Sequence, residues 1–542
     1  MRGARSAKWV ASAIVVALAA TACGGSDDDD STSDGASDGN SGGGIVRVDG
    51  GEPQNPLIPS DTSEAYGGLV MDNIFSKLLE FDDSGEIELL AAESIEPNED
   101  ATVWTVTLNS GWTFHDGTDV TAQHYVNAWN WAANVDNNQS SSFWFADIAG
   151  YEDVHPEEGS PTAEEMSGLS VVDDLTFEIA LSHPVSYYNY KLGYTPFTPL
   201  PDSFYDDPEG FGEAPVGNGP YRLDEWNHNT SIKLSTYEDY AGRNAAKNDG
   251  VEIIAYTGLD AAYQDLLSDN LDVIRQVDPK DLPVYETDLG DRAISQAYNG
   301  IQSIVPVKYG DWENVDPQVI QGISKAIDRE TITQTVLNGS RTPADSFAPP
   351  GVLGYQEGAD GGIAEYDPEA ARDLVEAGGG VPNNEMVLQI NGDGGHQEWA
   401  EAVCNSIIDA LDIECTLDIK PDFDTDLEAR AANEVQSFYR GGWLADYPLN
   451  ANFMSELYHS RSSTNYGRFD NPEVDALFEQ GDQAASLEET VTAYQEAEQV
   501  LWEEMPAIPL WFQNVNGGYS NNVENVAFDT AGMPILTEVT VK

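Results

Sequence analysis

The chain has 542 residues, and its 24 Lys and Arg stand against 95 Asp and Glu, a formal charge of −71 at neutral pH. Nucleic-acid binding is excluded, because phosphate contacts need clustered cations that release counterions. Hydrophobic residues at 40% with 12 Trp supply a core, so this is a folded chain of roughly two to four domains and not a disordered polyanion. No run of about 18 apolar residues is present, so no helix of the mature chain is expected to span a bilayer. Only 10 of the 24 cations are Lys, and Asp runs recur throughout, which makes the surface short-chained and strongly hydrated. Two readings stand: extracellular life in high salt, where screening relieves self-repulsion, or the ordinary acidity of a secreted protein. The first predicts a melting temperature that rises with added NaCl, which thermal scans at low and high salt will check.

Arg2, Arg5 and Lys8 form a cationic segment ahead of a short apolar stretch, Trp9 to Ala22, that ends in Ala20-Thr21-Ala22-Cys23. This resembles a bacterial lipoprotein signal, with Ala20 where Leu is commoner, and implies a product lipidated on Cys23; a plain secretory peptide cleaved nearby is the alternative. Residues 24–44 carry no apolar side chain larger than Ala and read as a flexible acidic tether.

The mature chain begins with a strand (IVRVDG, from Ile45), a Pro-rich turn and a helix over LVMDNIFSKLLEF. Next, WTVTLNSGWTFHDGTDVTAQHYVNAWNWAANV places a β-hairpin and a DG turn before a helix, with Thr121 as N-cap and Tyr125, Ala128 and Trp129 facing inward. His115, in that turn, reads as a structural hydrogen-bonding residue. Residues 215–257 read as several strands with Gly and Asn turns. Helices are expected over Pro317–Val336 and Asp367–Ala377, the second with Asp367 as N-cap and Gly378 at its stop. Around the two remaining cysteines, Trp399, Val403, Ile407 and Leu411 have helical spacing, whereas Ile413, Cys415, Leu417 and Ile419 alternate as in a strand. Such a turn can bring Cys404 and Cys415 together as a disulfide; two separate buried thiols are the other possibility. Two sulfurs without an adjacent His do not make a structural zinc site.

Catalytic signatures are missing. There is no phosphate loop, no H-E-x-x-H zinc helix and no G-x-S-x-G elbow, and the seven His residues are scattered. Carboxylate pairs arise by chance in so acidic a chain. No enzyme activity, cofactor or metal is therefore expected. The stretch Tyr439 to Tyr447 has strand-like residues and two glycines, Gly441 and Gly442, that let a second backbone approach closely.

Six blocks then carry a resemblance: WTFHDGTDVTAQHYVNAW (112–129), PVGNGPYRL (215–223), Asn270 and Asp272 in LLSDNLDV, AIDRETI (326–332), YDPEAARDLVEAGG (366–379) and GWLADYPLNANF (442–453). In this order they are similar to the signature blocks of the family 5 extracellular solute-binding proteins, the oligopeptide, dipeptide and nickel receptors of ABC importers. Ile320 stands where that family usually has Arg ahead of AIDRE, and Asn218 where it has Thr, changes read as the loss of an ion pair and an altered turn. The resemblance implies an α/β, two-lobe periplasmic-binding-protein-like fold (type II, cluster C) with three subdomains and a hinge. Residues 45–80, 195–277 and 508–542 would form the first lobe (subdomain I), 81–194 an inserted subdomain II and 278–507 the second lobe (subdomain III). The chain would cross between lobes near 277 and 507.

The same resemblance implies an extracytoplasmic, lipid-anchored monomer that captures oligopeptides for ABC permease and ATPase subunits, or another solute such as a metal chelate or oligosaccharide, or a peptide signal. Asp446 matches the family's ammonium-binding Asp; outside GWLADY a lone Asp in this chain would read as a solvated surface group. Arg440 matches an Arg near the ligand's carboxyl end, although ion pairing with one of the many carboxylates would equally explain it. Gly442, Trp443, Ala445 and Tyr447 complete the expected wall, Trp443 also reading as an ordinary core aromatic. Asn55 is assigned to an opposing edge.

Overall fold

The computed structural model describes residues 43–542, apart from 63, 64, 83, 157, 158, 257, 279, 393 and 463 and the side chain of residue 424. Cys23, the segment before it and nearly all of the tether lie outside the described residues. Among the described residues no helix is long and apolar enough to cross a membrane.

Eleven strands build one mixed sheet: β1 (Ile45–Gly50), β2 (Tyr221–Asn227), β3 (Ser231–Thr236), β4 (Gly250–Ala255), β5 (Val273–Ile274), β6 (Ala293–Pro306), β7 (Arg341–Pro343), β8 (Glu385–Asn391), β9 (Glu414–Lys420), β10 (Phe438–Leu444) and β11 (Ile508–Tyr519). Their order is β9-β8-β10-β6-β11-β5-β1-β4-β3-β2, with β7 also on β11. The long antiparallel strands β6 and β11 join the two halves. Ala293–Ala297 of β6 pair with Gly518–Asn514 of β11 beside β5, and the ladder resumes, after an irregularity, at Ile301↔Phe512, where β10 has become the other neighbour of β6. β1 runs parallel to β4 and β5, so these three strands end on the same side, directed toward that irregularity.

Between β1 and β2 lies α1 (Ala65–Ile74), followed by a four-stranded antiparallel sheet of Ala92–Pro97, Val103–Leu108, Thr176–Ala180 and Leu169–Asp173. In VWTVTL the alternation buries Trp104, Val106 and Leu108, as a one-sided strand requires. Helix α2 (Ala122–Ala133) turns Tyr125, Ala128 and Trp129 inward, with Tyr125 stacked 5.6 Å from Phe177. Its N-cap, Thr121, donates its backbone N–H to Nδ1 of His124 at 3.1 Å. His115 is held by backbone on both ring nitrogens, against Gly217 N–H at 3.2 Å and Gly219 O at 3.1 Å; burial pushes its pKa down to about 4.

Two expected helices differ. The first spans 65–74 and not 69–81: Asn218 captures the backbone N–H of Ser76 at 3.0 Å, and Leu79–Phe81 pairs as a strand with Ile87–Leu89. Asn218 is thus a fully buried clamp on the end of α1, more than a turn residue. The second splits into Pro317–Lys325 and Arg329–Thr335, because Asp328 caps a new helix by accepting the Thr331 N–H at 3.0 Å. Asp367 caps its helix by accepting from Glu369 and Ala370.

Helix α3 (Leu282–Leu289) packs Leu282, Tyr285 and Leu289 with Tyr263, Leu266 and Ile274 in a small core of its own beneath β5. Helix α4 (Gln397–Leu411) runs into β9, and a disulfide joins Cys404 to Cys415, Cα–Cα 5.2 Å and 11 residues apart in sequence. Opening so short a loop is expected to destabilise the fold by about 3 kcal/mol on loop-closure entropy. Urea denaturation of Cys404→Ser/Cys415→Ser beside the oxidised parent measures it.

Candidate binding site

Strand β10 has one covered edge and one open edge. On one side β6 pairs with it from Pro306↔Phe438 to Gly300↔Leu444; on the other, β8 pairs only with Phe438 and Tyr439. Ala445 donates its N–H to Asn299 O at 2.8 Å on the β6 side. Alternation along a strand therefore turns Gly441 and Trp443 toward β6, and the N–H and C=O groups of Gly442 and Leu444 toward the open edge. Leu444 is 48% exposed. Glycine at 442 also leaves the space that Arg440 fills, since a Cβ there would lie 3.0 Å from its Nη2.

Beyond the strand, Asp446 is fixed by Asn452, the third residue of a helix over Asn450–Tyr458. Asn452 Oδ1 accepts the Asp446 N–H at 3.1 Å and the Trp443 indole N–H at 3.0 Å, and its Nδ2 donates to Asp446 Oδ2 at 3.1 Å. Desolvation pushes the Asp446 pKa up to about 7; Glu456 adds to the rise, while Asn452 and Lys191 oppose it. Glu456 and Asp482 are likewise raised by burial. Lys191 pairs with Asp147 at 2.7 Å; burial works against its charge, but Asp147 and the other nearby acids hold its pKa above the ordinary range. Four carboxylates, Asp147, Asp446, Glu456 and Asp482, thus share one ammonium, and a second cation is electrostatically favoured there.

The site is assembled from both halves of the chain. Tyr187 donates to Asp482 Oδ1 at 2.9 Å and Ser186 N–H to Asp482 O at 3.0 Å, across almost 300 residues of sequence. Tyr447, only 1% exposed, packs its ring against Trp144 and Tyr187. Its side chain is thus packed into the wall between the two halves of the chain. Ala445 likewise has its N–H committed to Asn299. Trp443 is half-buried and, with Ile301, Ser303, Val305, Tyr439 and Gly441, lines a cavity of about 190 Å³ against the β6–β10 face. Arg440 lies with its guanidinium 5.7 Å from the Phe423 ring centroid. Asn55 is not brought to this strand by any described contact: its amide donates to Asp61 O within its own loop at 3.1 Å. Among the described residues no group of His, Cys, Asp and Glu could hold a metal ion.

An open strand edge thus lies beside a desolvated carboxylate where residues from both halves of the chain meet. Residues 86–465 match the model of "Bacterial extracellular solute-binding proteins, family 5 Middle". The chain belongs to this family. Relatives include the oligopeptide-binding protein OppA of Bacillus subtilis, 22% identical over 88% of this chain and 89% of that protein. The periplasmic murein peptide-binding protein MppA of Escherichia coli is 27% identical over 85% of this chain and 87% of that protein. Among solved structures, Haemophilus influenzae OppA in complex with RPPGFSPFR superposes with a TM-score of 0.73 at 22% identity, covering 92% of this chain and 98% of that chain. The two-lobe, family 5 periplasmic-binding-protein fold expected from the sequence is the one found. The family is extracellular, and it and these relatives are binding proteins.

Sequence reasoning did not assign Asn452, which lies inside the quoted GWLADYPLNANF block and could have been suspected as the residue that orients Asp446. Lys191, Asp147 and Glu456 gave no signal, because nothing local links them to residue 446.

Proposed function

We propose that this chain is the extracytoplasmic receptor of an ABC importer and captures oligopeptides between its lobes. The observation that carries the reading is the open edge of β10 at Gly442 and Leu444 ending at Asp446. Main-chain groups there match any extended peptide regardless of sequence, and the carboxylate takes the α-ammonium by charge-assisted hydrogen bonding. The cavity beside Trp443 has room for one apolar side chain of the solute. Arg440, Gly442 and Trp443 belong to the proposed wall, and Ala445 and Tyr447 support it.

The hinge of this reading is the irregular stretch of β6 and β11 around residues 298–300 and 513, rather than 277 and 507, since α3 still packs with the core under β5. Subdomain II would be residues 81–194. The receptor would act as a monomer, lipid-anchored through Cys23, deliver its cargo to permease and ATPase subunits in the closed state, and catalyse nothing. Calorimetry with alanine peptides of three to six residues tests the reading, and mass spectrometry of copurified small molecules is the second arm. A native cargo of sugars, metal chelates or bile acids with no peptide would overturn it, and peptide hydrolysis on prolonged incubation would overturn the non-enzymatic part.

A further inference from the structure

Arg275 follows β5 directly, at the end of the parallel strands that points toward the lobe crossing. In a chain with 95 acidic residues, its guanidinium makes no hydrogen bond to a carboxylate among the described residues. The nearest, Asp49, lies 3.8 Å from Nε, and Asp49 Oδ1 already accepts the backbone N–H of Arg275 at 2.7 Å. Among the described residues, the side chain's hydrogen bonding is limited to the thioether of Met533, a weak acceptor, at 3.5 Å from Nη1, and the buried Nε has no partner. The group is nonetheless held in place. Its Cζ lies 5.6 Å from the ring centroid of Tyr66, and that ring sits against Gly51, where a Cβ would come within 2.6 Å of it. Asp49 neutralises the charge without using the fork of N–H donors, an arrangement that leaves a planar, oriented donor set on a side chain that is still 14% exposed.

The loop that carries Met533 connects this guanidinium to the strand end at Asp446 through Asn299, whose O accepts the Ala445 N–H at 2.8 Å. Met533 N–H donates to Asp529 Oδ1 at 2.8 Å in the same loop as the thioether. Asp446 with its acidic neighbours lies at one end of this connection, and Arg275, 3.8 Å from Asp49, stands at the other. That loop also abuts the lobe crossing, since Thr530 O accepts the Asn299 N–H at 2.8 Å.

Resting on the peptide reading above, we propose that Arg275 is a specificity-determining residue that grips a carboxylate of the solute from the first lobe, so that the cleft selects ligands bearing an ammonium at one end and a carboxylate toward the other. The carboxylate is either the C-terminal group or an acidic side chain, and the test separates them. Calorimetry compares alanine peptides of three to six residues as free acids, as C-terminal amides, and as amides carrying one Glu, on the full mature chain and on Arg275→Gln. The parent is expected to favour one carboxylate-bearing series over the plain amides by roughly tenfold to a hundredfold, as for a hydrogen bond to a charged group. Preference for the free acids assigns the C-terminal group, and preference for the Glu amides the side chain.

In Arg275→Gln the favoured series falls to the affinity of the plain amides, whose binding is unchanged. Equal affinity of all three series for the parent, or full retention of the preference in Arg275→Gln, overturns the proposal; the first result needs no variant and stands even if the substitution fails to fold. Failure of every peptide to bind the parent would instead remove the peptide reading itself.

Discussion

Asp446→Ala is expected to weaken binding of alanine peptides by more than tenfold while leaving the circular-dichroism spectrum unchanged. Removing one partner of a desolvated charge pair costs about 2 to 5 kcal/mol, much of it the penalty of leaving the ammonium buried and unmatched. The same residue sets the pH dependence. Its folded pKa of about 7 stands above the ordinary 3.8, with desolvation as the first cause. A raised folded pKa stabilises below the ordinary value, and that contribution is lost as pH rises through about 7. Ligand-free Asp446→Asn should therefore match the parent near pH 4 and become progressively more stable than it toward pH 8, measured as the difference in urea midpoint. Binding has the opposite slope: an ammonium ligand needs the carboxylate ionised, so affinity climbs from pH 5 to pH 7 with release of a proton. It falls again above about pH 8, as the peptide's own amine deprotonates. A midpoint difference that does not change with pH, together with pH-independent binding, would remove Asp446 from the site.

The stability–affinity opposition explains why the carboxylate is tolerated where it is. Asn452 supplies two of its hydrogen bonds through one buried amide, and Lys191 supplies partial charge compensation from the other half of the chain. The resemblance of the GWLADY block is what drew attention to Asp446, since a lone acid in so acidic a chain carries no signal of its own. Local capping was equally legible at Thr121 and Asp367, where one side chain decides one helix end. The helix over LVMDNIFSKLLEF was misplaced because Asn218, 142 residues away in sequence from Ser76, decides where it stops. The acid cluster was invisible for the same reason: Asp147 and Lys191 come from the inserted sheet's surroundings, and Asp446, Glu456 and Asp482 from the second half. Arg275 carries no local signal at all. Its standing comes from what it lacks, a hydrogen-bonded carboxylate, and no sequence pattern reports that.

Leu444→Pro is expected to cut peptide affinity by more than tenfold while the protein remains folded. The N–H of Leu444 faces the open edge, whereas the ladder to β6 uses the alternate residues, ending with the Ala445 donor to Asn299. Proline removes the outward donor and places its ring where an incoming strand would lie, yet it takes nothing from the β6 pairing; edge positions of this kind are where strands accept proline. It also favours extended backbone at Trp443, which the strand already has. The ligand carbonyl opposite residue 444 would then be desolvated without a partner, a cost of about 1 to 3 kcal/mol. Leu444→Ala is the control: it keeps the N–H and removes only an exposed side chain, so its affinity should stay within about twofold of the parent, with free-energy changes inside the ±0.5 kcal/mol usual for surface substitutions. Equal binding by Leu444→Pro and Leu444→Ala in calorimetry would mean that the solute does not use this edge, and the main-chain mode of recognition would fall while Asp446 could still hold an amine.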